Sequence, residues 1–432
     1  MTIKSFNHRI VENLYLKPIM NAPQTLSLRH KKFPAHAKSF HDVSYEEAKA
    51  RAYALVPLLK EHVELTEKTT YLPEVVVNAI HESGLFRYQQ PKMWGGMEVD
   101  FRGFMEIPYI LGLGCPSTAW VFANMASHHR QLAQWSMQAQ EDILGNDPDA
   151  LIASGIAYVQ GQGKRVDGGL LLTGQWAFSS GVDISSWNML ACTIKDEDNK
   201  VVDWCMCLVP KDDYEIIDDW QTLGMCGTGS RTVKATEIFV PEHRVLSMHI
   251  HKPGFHFPGW KTHTNPMFRV PNSSVGGNGI AGAMIANAQT MLDDTIGWIK
   301  SRSSTYTGAK MSDIPSLQMK IASAGGKIDA AYTWLLSNCI EAELTYKAGK
   351  TFGVEDKLKY RRNTAMGMKM ANEAVDILHE LLGANGIYDK HSFQRMFRDA
   401  HASAGHFVFN LDAQLIPHGL KTLGGEFKSP TM

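Results

Sequence analysis

The spacing of apolar and polar residues divides the chain into three blocks, the first of which has a helical pattern. This block covers residues 44–139. Ser44 and Glu47 form a capping box, in which a hydroxyl and a carboxylate satisfy free amides at a helix start. A second helix is predicted to open around Pro73, because proline suits an early helical position, and to close at Gly84. Two further helices are predicted over 104–111 and 118–135.

The second block, residues 149–245, has the pattern of short β-strands. Apolar or β-branched runs alternate with Gly, Asp and Ser clusters, which is typical of antiparallel strands in a small sheet or barrel. Cys205 and Cys207 lie two residues apart in one run and should therefore point to the same face. They lack the two further ligands of a metal site, so strand core is the favoured interpretation. The predicted strands cover 170–174, 188–194, 202–209 and 233–240.

The third block begins at Asn278 and returns to the helical period. Apolar residues recur at steps of three and four, first from Ile321 to Cys339 and then from Met366 to Leu381. The second of these helices should end near Gly386. A last helix is predicted over 393–415, stopped by Pro417. Four long helices with apolar stripes indicate a bundle.

Together these patterns predict an α+β fold with three domains in a fixed order. A helical domain (1–148) precedes a small β-sheet or barrel domain (149–248). A loop-like aromatic connection (249–275) then leads to a C-terminal four-helix bundle (276–432). The apolar faces of the bundle favour a dimer or tetramer.

Composition narrows the class of protein. Apolar residues make up 44% and charged residues 20%, which rules out a disordered or fibrous chain. Lys and Arg (43) nearly balance Asp and Glu (44), so no basic excess favours nucleic acid. Apolar runs stay short of the roughly 18 residues that span a bilayer, and the N-terminus lacks the apolar centre of a signal peptide. Six Cys residues without a CxxC motif do not indicate a disulfide framework. We therefore expect a cytoplasmic enzyme without a membrane or nucleic-acid partner.

Two local motifs suggest chemistry that their surroundings do not support. Residues 277–282 match GxGxxG, but a poor strand precedes them and the acidic residues follow too early for a dinucleotide site. Close helix packing explains these small residues better. Four histidines in one loop suggest a metal, yet no acidic or Cys partner has ligand spacing, so a loop bordering an aromatic pocket is favoured. These histidines are His249, His251, His256 and His263.

Several longer motifs, in the right order, resemble the acyl-CoA dehydrogenase superfamily. The resemblance covers about residues 70–415. The central run WQTLGMCGTGS from Trp220 to Ser230, followed by Val233 and by IFVPE at 238–242, resembles the middle domain of that superfamily. Four further segments resemble the helical domains of that superfamily: GLF at 84–86, PKMWGG at 91–96, Arg302 with YTG at 306–308, and QRMFRDA at 394–400. The resemblance implies the same three-part fold.

Within that superfamily, the details resemble the oxygenase component of two-component flavin monooxygenases. Dehydrogenases commonly place a catalytic Glu about seven residues after the Arg-Asp-Ala run, whereas this chain has no carboxylate between His401 and Asp412. An acyl-CoA dehydrogenase-like flavin oxidoreductase is therefore the second hypothesis. The favoured branch includes 4-hydroxyphenylacetate 3-hydroxylase and indole oxygenases. Its activity implies reduced flavin (FADH2 or FMNH2), O2, a C4a-hydroperoxyflavin, and hydroxylation or epoxidation of a small aromatic compound.

The resemblance also assigns roles to residues. Ser180 would lie near flavin N5, and His406 would set the electrostatics for protonating the distal oxygen. His128 and Ser154 would grip the polar atom of the substrate, although they could instead satisfy one another in the core. Trp120 would pack on the aromatic ring of the substrate. The resemblance further implies that Phe268 contacts the substrate. It implies cofactor contacts for Arg302, Gly383 and Ala384, with Arg302 meeting the flavin phosphate at a subunit boundary.

Partners and substrate follow from the same resemblance. Because no credible nicotinamide site is present, a separate NAD(P)H–flavin reductase is expected to supply the flavin, and a homotetramer is expected. A hydroxyphenylacetate would require a cation for its carboxylate, for which Lys252, Lys261 and Arg269 are candidates. Indole requires only an apolar slot and one acceptor, such as His128. A small neutral bicyclic or phenolic ring is slightly favoured.

Overall fold

The fold is taken from a computed structural model that describes residues 38–248 and 255–429. Three residues singled out above, His249, His251 and Lys252, lie outside these ranges. Both terminal blocks are helical, as predicted. The helices are α1 (Tyr45–Thr69), α2 (Glu74–Ser83), α3 (Gly103–Gly112), α4 (Pro116–Leu132), α5 (Met137–Gln140), α6 (Asn272–Val275), α7 (Gly277–Lys300), α8 (Pro315–Lys347), α9 (Val354–Leu382), α10 (Ser392–Ala404) and α11 (Leu411–Thr422).

The first helices begin and end where the sequence signals predict. The Glu47 amide donates to the Ser44 hydroxyl at 3.2 Å, which caps α1. The Glu47 carboxylate contacts Arg51 instead of completing the capping box. Helix α2 starts directly after Pro73 and ends at Gly84, whose φ of +77° is the left-handed conformation that glycine adopts freely.

The middle block forms one eight-stranded sheet with the order β6-β7-β3-β2-β4-β5-β8, and β1 pairs with β4. The expectation of antiparallel pairing is confirmed for most neighbours but is wrong for β1–β4 and β2–β4, which are parallel. The β2–β3 hairpin forms the crossover that a parallel β1–β4 pair requires. The strands are β1 (Ile152–Gly155), β2 (Gly161–Val166), β3 (Gly169–Ser179), β4 (Trp187–Lys195), β5 (Val201–Pro210), β6 (Glu215–Ile217), β7 (Arg231–Pro241) and β8 (Val245–Ser247).

The core of the sheet contains the two cysteines expected there. Cys205 and Cys207 both lie on β5 and are fully buried. Burial raises the pKa of the Cys205 thiol, and a hydrogen bond with Cys192, followed by burial, raises that of the Cys207 thiol. These thiols therefore stay protonated, as expected of strand core.

Helices α3 and α7 pack closely through the GxGxxG segment. A Cβ on Gly282 would lie 2.4 Å from the Met105 carbonyl oxygen, and one on Gly112 would lie 2.8 Å from that of Ala283. Since a Cβ cannot approach an oxygen so closely, only glycine permits this helix contact. The interpretation of this segment as a helix-packing motif is confirmed.

The C-terminal helices form the predicted bundle around α9, with two differences. Helix α9 ends at Leu382 rather than near Gly386. The single helix predicted over 393–415 is wrong, because α10 ends at Ala404 and α11 starts at Leu411. The side chain of Asn410 accepts the Ala413 amide at 2.9 Å and starts the second helix.

Pro417 does not stop a helix but lies inside α11. It is the seventh residue of that helix, where it removes only one backbone donor. The helix break falls earlier, at residues 405–410, and it contains His406.

Across residues 38–248 and 255–429, none of the helices has the length and apolarity needed to cross a membrane.

Candidate active site

Three of the predicted site residues meet, although they come from distant parts of the chain. Trp120 on α4 donates its indole Nε1–H to Ser180 Oγ at 3.3 Å. The ring of His406 lies edge-on to that of Trp120, with centroids 5.5 Å apart. Phe409 also packs edge-on to Trp120, at 6.2 Å. The helix break between α10 and α11 thus brings His406 to Trp120, which in turn contacts Ser180 after β3.

Ser180 belongs to a series of three hydroxyl groups. The other two, those of Ser230 and Thr228, had no predicted role. Its Oγ lies 2.7 Å from Ser230 Oγ, which in turn lies 2.7 Å from Thr228 Oγ1. Thr228 then donates to the Met225 carbonyl oxygen at 2.8 Å. The register of β3 and β7 pairs Ser179 with Arg231, which places Ser180 opposite Ser230. Ser230 and Thr228 stand in the CGTGS run quoted above, the only sequence signal that could have identified them.

His406 is a neutral hydrogen-bond donor in this site. The Val408 amide donates to its Nδ1 at 3.3 Å, so the neutral ring carries its proton on Nε2. Burial lowers the pKa of His406 to about 4, which keeps the ring neutral at pH 7. No residue within the described ranges forms a hydrogen bond with Nε2. The side chain therefore offers one N–H to a ligand.

His128 has the opposite tautomer. Its Nδ1 lies 2.6 Å from the Ile152 carbonyl oxygen, an acceptor, so Nδ1 must carry the proton. Burial lowers the pKa of His128 to about 4, and the ring is therefore neutral at pH 7 with an acceptor at Nε2. This nitrogen has no hydrogen-bond partner among the residues described. His128 thus presents an acceptor, where His406 presents a donor.

Ser154 lies on β1, the same strand that fixes His128. It follows Ile152 by two residues and is half-buried. Because side chains alternate along a strand, residues 152 and 154 share a face. Within the described part of the chain, the Ser154 hydroxyl has no hydrogen bond, including none to His128. The alternative in which the two side chains satisfy one another in the core is therefore not what the structure shows.

Phe268 is buried in the main apolar cluster, which also contains Trp120. Its ring packs on His263 with centroids 5.2 Å apart, and its carbonyl oxygen accepts the Trp260 indole N–H at 3.1 Å. Arg130, two residues after His128, donates to the Val270 carbonyl oxygen at 2.7 Å. The connection segment is therefore held against α4.

The two loop histidines that the structure describes take part in packing. His263 Nε2 lies 2.7 Å from Gln140 Oε1, and the ring of His256 is tilted towards that of Trp260 at 6.2 Å. The aromatic rings of Phe255, Phe257 and Trp260 pack on one another. This part of the loop matches the interpretation of an aromatic border.

The remaining predicted cofactor residues lie apart from this cluster. Arg302 is exposed just after α7, with its guanidinium 3.5 Å from the centroid of the Trp298 ring. Gly383 and Ala384 are exposed where α9 ends, and Gly383 has a φ of +54°. Among the residues described, no hydrogen bond or ring contact joins these three to Ser180. Their flavin contacts stay a prediction.

The cluster has the features that a reduced flavin ring requires. An isoalloxazine is flat, with apolar faces and polar edges. Ser180 Oγ supplies an acceptor and His406 Nε2 a donor, while Trp120 supplies an aromatic surface. Phe178, which is 72% exposed, packs edge-on to Trp220 next to Ser180. These residues fit the cofactor that the sequence predicts.

Comparisons with known proteins bear on the family and the fold. The family model for the C-terminal domain of acyl-CoA dehydrogenases matches residues 278–411. The oxygenase subunit HsaA of a flavin-dependent monooxygenase from Rhodococcus jostii (strain RHA1) is 34% identical over 88% of this chain and 98% of its own length. The oxygenase component of p-hydroxyphenylacetate 3-hydroxylase from Acinetobacter baumannii is 30% identical over 90% and 92% of the two chains.

A solved structure extends the likeness to the whole fold. XiaF from Streptomyces sp., in complex with FADH2 and glycerol, has a TM-score of 0.81 and 25% identity, and the match covers 90% of this chain and 97% of XiaF. The predicted superfamily, α+β fold class, monooxygenase activity and use of reduced flavin are confirmed. The chain belongs to the oxygenase subunits of flavin-dependent monooxygenases, which share the fold of the acyl-CoA dehydrogenases.

Proposed function

We propose that this oxygenase hydroxylates or epoxidises a small neutral aromatic compound that carries a ring O–H or N–H, such as a phenol or an indole. The observation that carries the proposal is the tautomer of His128. Its Nδ1–H is held by the Ile152 carbonyl, so Nε2 is an acceptor without a partner among the described residues. An acceptor of this kind selects a substrate with a donor.

His128 and Ser154 would act on the electron density of the substrate. A hydrogen bond from a phenol O–H or an indole N–H to Nε2 pushes electron density into the ring. With a pKa of about 4, His128 stays neutral and holds this proton without removing it beforehand. Ser154 Oγ would add a second polar contact. The reacting ring carbon thereby becomes a better nucleophile towards an electrophilic oxygen.

Ser180, His406 and Trp120 would hold the cofactor. When bound, reduced flavin supplies the activation of O2, which is the cofactor's own chemistry. Ser180 Oγ would accept a hydrogen bond from the N5 edge, and His406 Nε2–H would offer a hydrogen bond to oxygen held beside the cofactor. Trp120 and Phe268 would limit the access of water, which otherwise promotes release of hydrogen peroxide.

Two cations of the connection segment, Arg269 and Lys261, bear on whether the substrate carries a carboxylate. A carboxylate would need a free cation, but Arg269 donates to the Trp260 carbonyl oxygen at 2.6 Å and lies 4.6 Å from the centroid of the Trp260 ring. Lys261 is exposed to solvent. Of these two cations, Arg269 is held beside Trp260 by one guanidinium nitrogen, while its buried Nη1 has no hydrogen-bond partner among the described residues, and Lys261 points to water.

Reduced flavin, as FADH2 or FMNH2, would come from a separate NAD(P)H–flavin reductase. In this chain the GxGxxG segment is helix α7, which leaves it unsuited to a nicotinamide dinucleotide. We infer that Arg302, Gly383 and Ala384 bind flavin across a subunit boundary of a homotetramer. The exposed position of Arg302, with Tyr306 98% exposed nearby, leaves this surface open to a second copy of the chain.

One experiment tests the proposal. The protein is mixed anaerobically with photoreduced FAD or FMN, then with air and one of indole, phenol, 4-hydroxyphenylacetate or an acyl-CoA. We expect oxygenated indole or phenol, with less product from 4-hydroxyphenylacetate. Release of hydrogen peroxide alone with every ring compound, together with desaturation of the thioester, would contradict the proposal and favour an acyl-CoA dehydrogenase-like activity.

A further inference from the structure

The hydroxyl groups next to Ser180 can be ordered by direction, because each has only one proton. Thr228 donates its proton to the Met225 carbonyl oxygen, which can only accept. The 2.7 Å contact between Thr228 and Ser230 then requires Ser230 to donate. The 2.7 Å contact between Ser230 and Ser180 requires, by the same argument, that Ser180 donate. All three hydroxyl protons therefore point along the series towards Met225, away from the position proposed for the flavin beside Ser180.

The end of this series is fixed by the fold. Met225 has a φ of +56°, and its amide donates to the buried Asp399 Oδ1 at 2.5 Å. The Gly181 amide donates to the Thr228 carbonyl oxygen at 3.1 Å, which ties the two loops together. The position of the Met225 carbonyl is therefore set by Asp399 of helix α10.

Burial keeps water from reversing this direction. Thr228 is 2% exposed and Ser230 is 3% exposed, so neither hydroxyl has an alternative partner in solvent. Ser180 is half-buried and terminates the series. One of its lone pairs receives the Trp120 N–H, and the other is free for a ligand.

We propose that Thr228 and Ser230 are positioning residues that make Ser180 Oγ solely an acceptor towards a ligand, so that the site binds reduced flavin in preference to oxidised flavin. Reduction converts N5 of the isoalloxazine from an acceptor into an N–H donor. Ser180 can then pair with the reduced ring, whereas two acceptors face each other with the oxidised ring. This inference rests on the proposed placement of the cofactor beside Ser180.

The test compares the dissociation constants of oxidised and reduced flavin, measured anaerobically by fluorescence and absorbance titration. In Ser230→Ala, the Ser180 proton is free to turn to the ligand. In Thr228→Val, Ser230 loses the Thr228 oxygen as its acceptor and can instead donate to Ser180. The Ser180 proton is then again free to turn to the ligand. Both variants should bind oxidised flavin about 3- to 10-fold more tightly relative to reduced flavin. Thr228→Ser keeps the hydroxyl and should keep the wild-type ratio.

The outcomes separate this inference from the proposed function. If the wild type binds neither redox state, the proposed cofactor site is wrong. If reduced flavin binds but its preference over oxidised flavin is unchanged in both Ser230→Ala and Thr228→Val, the positioning role is wrong while the cofactor site stands. An equal change in Thr228→Ser and Thr228→Val would also overturn it, because the hydroxyl would then not matter.

Discussion

The indole N–H of Trp120 donates to Ser180 Oγ at 3.3 Å across 60 residues of sequence. This bond links helix α4 to the loop after β3, and therefore links the two sides of the candidate site. His128 lies eight residues further along α4, a little over two helical turns. One helix thus positions both the residue proposed to face the flavin and the residue proposed to face the substrate.

Replacing His128 with Asn should uncouple flavin oxidation from hydroxylation. The Asn amide N–H can replace Nδ1–H on the Ile152 carbonyl, while the acceptor at Nε2 is lost. We expect hydroxylated product per reduced flavin to fall about tenfold or more, as the loss of one hydrogen bond of ~1.5 kcal/mol implies. Hydrogen peroxide should rise to match, as measured by peroxide assay and product chromatography. Wild-type coupling in this variant would show that His128 does not bind the substrate.

Ser154→Ala should weaken substrate binding without lowering stability. The Ser154 hydroxyl has no protein partner within the described ranges, so its removal costs the fold nothing. We expect the KM for the aromatic substrate to rise several-fold and Tm to stay unchanged. Ser179→Ala is the matched control, because buried Ser179 accepts from Asn188 at 3.1 Å. That variant should lose about 1–2 kcal/mol of unfolding free energy. A drop in Tm for Ser154→Ala would point to a structural hydroxyl.

Substitution by alanine at two glycines of helix α7 should change the free energy of unfolding in opposite directions. Gly282→Ala would place a Cβ 2.4 Å from the Met105 carbonyl oxygen and should lower the free energy of unfolding by about 1–3 kcal/mol. Gly297 is exposed with nothing within 4 Å of a Cβ, so Gly297→Ala should raise it by about 0.5–1 kcal/mol. Denaturant titration of both variants measures the difference. Equal effects would mean that α3 and α7 do not pack as described.

Stability should fall as the pH drops from about 6.5 to 4. Burial lowers the pKa of both His128 and His129 to about 4, below the 6.5 of the unfolded chain. Between these values the unfolded state binds more protons, so acid destabilises the fold by up to about 3 kcal/mol per histidine. Burial raises the pKa of Asp399 to about 6, which partly offsets this fall.

His129→Gln tests the pH dependence at a residue remote from ligand contacts. The His129 ring contacts two carbonyl oxygens, that of Ala150 from Nε2 at 2.8 Å and that of Phe86 from Nδ1 at 3.0 Å. The Gln amide has two N–H groups that can donate to such oxygens, but it cannot titrate. We expect the loss of unfolding free energy between pH 7 and 4 to shrink by about 3 kcal/mol in denaturant titrations. The same loss in variant and wild type would show that His129 is not the titrating group.

Local sequence patterns predicted much of the fold because they depend on neighbours in sequence. The cap at Ser44, the end of α2 at Gly84 and the close packing at Gly282 all follow from side-chain size or local hydrogen bonds. The helix break before α11 was missed. The sequence signal for this break is Asn410, whose side chain caps the start of α11. The spacing of apolar residues does not reveal such a cap, because the cap depends on a side-chain hydrogen bond that competes with continuation of the helix.

The sequence by itself determined the three blocks, the helix-packing glycines and, through resemblance, the family, and it predicted the site residues. The tertiary structure decided what those residues can do. The tautomer of His128 depends on the Ile152 carbonyl of another element, and the direction of the Ser180 hydroxyl depends on the Met225 carbonyl 45 positions away. A hydrogen bond is directional, so donor and acceptor roles are fixed only when the chain brings the partners together.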